Sequence, residues 1–100
     1  MDRVLVLILH PSLAEAALDL LLEHPDKVTG YCRSEVSAHG FGAALTGAAE
    51  EVAGSSPRTR LEILTRTEHV DALLGMLKDN WPHPGLVYWS VAVENFGVLS

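Results

Sequence analysis

The chain has 100 residues, of which 48% are hydrophobic and 20% charged, and a formal net charge of −6. That length makes one domain with a small core. The acidic balance excludes nucleic acid and an anionic membrane surface as main partners, since both demand basic patches. The single Cys32 cannot close an internal disulfide, and the apolar run Val4–Leu9 is too short for a membrane span or a signal-peptide core. A cytoplasmic protein with no membrane insertion is expected.

Val4–Leu9 is continuous and β-prone, and His10-Pro11 ends it. Ser12-Leu13-Ala14-Glu15 has the spacing of a capping box. Ser12 should therefore open a helix reaching Glu23, with Leu13, Ala17, Leu20, Leu21 and His24 along one side. His24-Pro25-Asp26 stops it. Val28–Ala38 alternates loosely and reads as a second strand, in which Cys32 is expected to be buried and inert.

From His39 to Pro57 the sequence is rich in Gly, Ala and Ser and shows neither strand nor core-helix periodicity. A compact domain rarely spends that much chain on a connection unless the connection is functional or disordered. Within it, Ala43–Ala53 has the composition for a short helix carrying Glu50 and Glu51. Arg58–Leu64 alternates again and reads as the third strand, after which Thr65 or Thr67 should cap a second helix. There Val70, Leu73, Leu74, Leu77 and Trp81 form an amphipathic stripe, ended by Pro82 and Pro84. Leu86–Glu94 is the fourth strand, with Val87, Trp89, Val91 and Val93 on one face. Trp89 is placed in the core or in an interface between copies.

The order βαββαβ predicts an α+β, ferredoxin-like domain over residues 1–100. It is a four-stranded antiparallel sheet with two helices on one face and a long loop between strands two and three. Strand one is apolar at every position, the mark of burial on both sides. Helices cover only one face, so a second copy is expected on the other, giving an oligomer assembled sheet to sheet.

The same topology brings His10, His39 and His83 to one rim of the sheet together with the long loop, and sends His24 and His69 to the opposite end. Three imidazoles with Glu50 and Glu51 nearby are candidate ligands for zinc, copper or nickel. The simpler alternative is a set of surface or capping histidines, since no His-x-His or Cys-x-x-Cys pair occurs. Gly40 and Gly42 flank Phe41, and serve either an approaching anion or a turn and hinge. Arg58 and Arg60 share one side of the third strand, placed for a phosphate or other anion, or for ion pairs with Glu35 or Glu62. No nucleophile triad, phosphate loop or metalloprotease motif is present, so no enzyme is expected. The remaining catalytic alternative is a small cofactor-free enzyme using His10 or His83 as base.

The run Leu61–Leu73, then Trp81-Pro82-His83-Pro84 and the strand Val87–Val93, resembles the second half of CutA-like proteins, which share a trimeric ferredoxin-like superfamily with the PII signalling proteins. His39-Gly40-Phe41-Gly42 with Ala49–Gly54 is similar to short PII-like proteins of uncharacterised function, encoded beside heavy-metal efflux pumps of the resistance-nodulation-division type. The resemblance implies a homotrimer in which His39–Pro57 is the effector-contacting loop, docking onto a partner such as an efflux-pump component. It implies a small ligand, an adenine nucleotide, at the cleft between subunits near the loop base. Gly40, Gly42, Arg58 and Arg60 are the candidates to hold it. The CutA-like alternative is a divalent-metal protein with His10, His39 and His83 as ligands. The chain departs from PII at Asn80–Gly85, which lacks the Gly-rich basic loop, and has no tyrosine between His39 and Pro57 to be uridylylated.

Overall fold

The computed structural model describes residues 1–41, 56–82 and 84–100. The strands are β1 (Arg3–Leu9), β2 (Gly30–Ala38), β3 (Ser56–Thr65) and β4 (Val87–Ala92). The helices are α1 (Pro11–Leu22) and α2 (Val70–Asn80), the latter entered through a short 3-10 turn at Thr67–His69. The suggested helix at 43–53 with Glu50 and Glu51, together with Gly42 and His83, lies outside the described residues.

The sheet order is β2-β3-β1-β4 with every neighbour antiparallel, which is the ferredoxin-like arrangement. β1 lies between β3 and β4, and its period of two sorts its side chains. Leu5, Leu7 and Leu9 join Leu61 and Ile63 beneath Ala17, Leu18 and Leu21 of α1 and Leu73 and Leu77 of α2. Each fully buried leucine stabilises the fold by about 1.5–3 kcal/mol.

On the other face, Val6, Ile8 and Ala38 cluster with Val4, Val36, Val87 and Trp89, and neither helix contributes to this group. Strand one is thus buried on both sides, but not by the means expected. Val6 and Ile8 are only 1% and 4% exposed within the single chain, shielded by side chains of their own sheet, so their burial needs no second copy.

Both helix starts differ from expectation. His10, not Ser12, caps α1: its Nδ1 accepts from the Ser12 N–H at 3.1 Å and meets the Ser12 hydroxyl at 2.8 Å, with Pro11 in the first turn. An imidazole acceptor one residue ahead of proline fills the role that the capping box assigns to serine. Neither Thr65 nor Thr67 caps the second helix. The Thr65 hydroxyl donates to the Lys27 carbonyl at 2.6 Å. The Thr67 N–H is satisfied from the far end of the sequence, donating to Asp2 Oδ1 at 2.8 Å. β3 begins at Ser56, before the predicted Arg58, because Ala38 and Ser37 continue to pair with Ser56 and Pro57. There β3 has outrun β1, whose pairing stops at Leu9–Thr59, and a proline is tolerated with one neighbour gone.

Cys32 is exposed rather than buried. It sits on edge strand β2, on the sheet face that no helix covers, opposite Glu62. Among the described residues no helix is long and apolar enough to cross a membrane.

Candidate functional site

The rim where β1 and β2 end and β3 and β4 begin carries the site. Gly40 leaves β2 with φ +80°, in the left-handed region that side chains avoid, so it turns the chain sharply at the strand end. Beside it a pocket of about 330 Å³ opens on the helix-free face. Ile8, Val36, Ala38 and Trp89 give its apolar wall, Phe41 its lip, and His39 and Arg60 its polar groups.

The register explains the assembly. Ile8 pairs with Arg60 on one side and Val87 on the other, while Val36 pairs with Arg58, so four strands present alternate residues to one patch. The Arg60 guanidinium lies 5.6 Å from the centre of the Trp89 ring, and its Nε donates to Glu62 Oε1 at 3.0 Å. Cation–π contact and ion pair together hold the guanidinium at the pocket wall. Ile8, Val36 and Trp89 were not recognised as site residues from sequence, where Trp89 reads as core or an interface between copies; alternation about Arg60 was the signal available.

Arg58 shares the face of Arg60, as the alternation requires, but is only 3% exposed, and its Nη1 donates to the Pro57 carbonyl at 2.7 Å. Of the two arginines, Arg60 is the one that lines the pocket. Of the two suggested ion-pair partners, Glu62 reaches Arg60, whereas Glu35 is turned to the opposite face. There Glu35 accepts from the Thr59 hydroxyl at 2.9 Å and pairs with Arg33 at 3.3 Å. Glu15 on α1 binds the same guanidinium at 2.8 Å, and these two carboxylates raise the Arg33 pKa, Glu15 first.

His10 and His39 both stand at the rim, yet apart. His10 follows Leu9, which is level with Thr59 and Glu35. At ~3.3 Å per residue and ~4.8 Å per strand, it stands roughly 10 Å along the sheet and 10 Å across from His39. Its Nδ1 is engaged at the helix cap. Among the described residues no three His, Cys, Asp or Glu side chains gather to hold an ion.

The fold is shared with several solved structures at identities that carry the architecture alone. A DUF3240 family protein from Shewanella baltica OS155 superposes with a TM-score of 0.79 at 21% identity, covering 99% of this chain and 97% of that one. CPII, a nitrogen regulatory PII-like protein from Thiomonas intermedia K12 bound to ADP, AMP and bicarbonate, gives 0.72 at 19%, covering 98% and 96%. A putative PII-like signaling protein from Thermus thermophilus gives 0.61 at 17%, covering 92% and 85%. No curated protein matches the chain. At the level of sequence families, residues 1–100 match the group described as Protein of unknown function (DUF3240), and the chain belongs to that family.

Proposed function

We propose that this chain is a PII-like regulatory protein that binds a small ligand, an adenine nucleotide, and acts by docking onto a partner. The observation that carries the reading is the rim pocket. A flat apolar wall of Ile8, Val36 and Trp89 suits a planar base, and Arg60 and His39 stand beside it for a phosphate. The fold likeness to CPII, itself bound to ADP and AMP, supports that ligand class. The helix-free face around the pocket supports assembly as a homotrimer, with each cleft completed by a neighbouring copy. The segment His39–Pro57 leaves from the pocket lip and is the docking element, with a heavy-metal efflux component as its partner in the cytoplasm. Ligand shifts docking only to the extent that it binds the docking-competent arrangement more tightly.

Calorimetric titration with AMP, ADP and ATP tests the reading. At least one should bind with micromolar affinity, and Arg60→Ala should weaken it about tenfold, roughly 1.4 kcal/mol. Absence of binding to all three overturns the nucleotide reading. Binding of copper or zinc instead, abolished by His39→Ala, would replace it with the metal-binding one.

A further inference from the structure

On the helix side of the same rim lies a second cavity of about 370 Å³, open to solvent. Leu74 and Gly75 of α2, Pro82 and Pro84 of the following connection, Leu86 just before β4 and Tyr88 within it form an apolar groove. Among the described residues its one charged group is Lys78. Gly75 stands in the helix interior, where glycine costs about 1 kcal/mol relative to alanine. Its own chain gives no reason for that choice. The backbone there is not in the left-handed region, and a Cβ at Gly75 would meet nothing within 4 Å. What the missing side chain provides is a low floor to the groove, open to an approaching group.

The chain also carries an apolar segment with nothing over it. After β4, Phe96, Val98 and Leu99 are 56%, 81% and 103% exposed, three large apolar residues within four positions. The segment's only charged residue is Glu94, the complement of Lys78 at the groove. The segment and the groove of one chain cannot meet through Phe96. The last tie of the strand is the Val93 N–H donating to the Asp2 carbonyl at 2.9 Å, at the end of the sheet opposite the groove. Val93 is five residues beyond Tyr88, about 17 Å away along the strand, and Phe96 can return at most ~10 Å of that.

We infer that the groove floored by Gly75 receives the Phe96–Leu99 segment of a second copy, so that each chain anchors its neighbour by an apolar arm. The arm places two to three large side chains against Leu74, Leu86 and Tyr88 and sets Glu94 toward Lys78. The inference does not rest on the nucleotide reading, and concerns a surface on the other side of the sheet from that pocket.

The test mixes two differently tagged full-length chains, both Cys32→Ser, one carrying Gly75→Cys and the other Val98→Cys. Mild oxidation should yield a disulfide-linked pair bearing both tags. A separate variant, Gly75→Leu, fills the groove. It should keep the circular dichroism spectrum of the parent and melt no lower, while making residues 96–99 at least tenfold more susceptible to proteolysis. Absence of a mixed-tag product overturns the inference. So does unchanged protease susceptibility in Gly75→Leu. An oligomer that persists without the cross-link sinks the arm alone and leaves the sheet-face assembly standing; a nucleotide-blind protein that cross-links sinks the ligand reading alone.

Discussion

The first helix, and the 3-10 turn before the second, begin on acceptors supplied from positions that sequence patterns do not mark. At α1 the acceptor is an imidazole nitrogen of His10. At the 3-10 turn that leads into the second helix it is Asp2, which gathers the Thr67 N–H at 2.8 Å and the Thr67 hydroxyl at 3.3 Å, while α2 itself starts at Val70 with no side-chain cap. Capping boxes are read from local spacing, and a partner 65 residues away leaves no local trace. The Asp2 bonds favour its ionised form, and chiefly the Thr67 backbone N–H holds its pKa below the ordinary carboxylate value. A lowered carboxylate pKa stabilises the fold above that value, and the contribution fades as pH falls through the folded-state pKa. Asp2→Ala should therefore lower the melting temperature at neutral pH. The gap to the parent protein should close in acid, below the ordinary carboxylate range. A gap that stays constant with pH would show that the Asp2 charge plays no part.

At the scale of elements, α2 shows how periodicity and chain geometry divide the information. The stripe Val70, Leu73, Leu74, Leu77 and Trp81 was legible because burial repeats every three to four residues. In the structure Leu73 and Leu77 are buried in the core while Val70, Leu74 and Trp81 pack at its edge. Leu73→Ala should cost about 2–5 kcal/mol in urea unfolding; a loss under about 1 kcal/mol would mean that the helix is anchored elsewhere. The strands were equally legible from alternation, including the shared side of Arg58 and Arg60. Two features were not. Cys32 was misplaced because residue type reports average burial, whereas its exposure follows from edge position on an uncovered face. The depth of Arg58 was missed because alternation assigns a face and says nothing of how far a long side chain lies down along it.

For the whole molecule, the proposed assembly rests on the sheet face without helices. Val36, Val87 and Trp89 are half-buried there, and Val91 is exposed at 49%. Val36→Asp should leave the helical and strand content intact and convert the oligomer to monomers by light scattering. A parent protein that is already monomeric at tens of micromolar, or a variant that still associates, would refute sheet-face assembly. The site was partly legible at this scale: topology alone brought His10, His39 and the start of β3 to one rim. What topology could not supply is separation within the rim, since β2 and β3 run on past the end of β1 and carry His39 away from His10.

The place of β1 has a consequence for how the protein is made. Its partners, β3 and β4, are residues 56–65 and 87–92, so this strand is synthesised well ahead of either of its neighbours. Until they follow, Val4–Leu9 travels as a naked apolar ribbon of high β-propensity, the kind of segment that recruits other nascent chains. Arg3 at its leading edge and Pro11 just past its end act as gatekeepers that limit such pairing. A strand flanked on both sides in the finished sheet is thus a hazard while it waits for its neighbours at the ribosome.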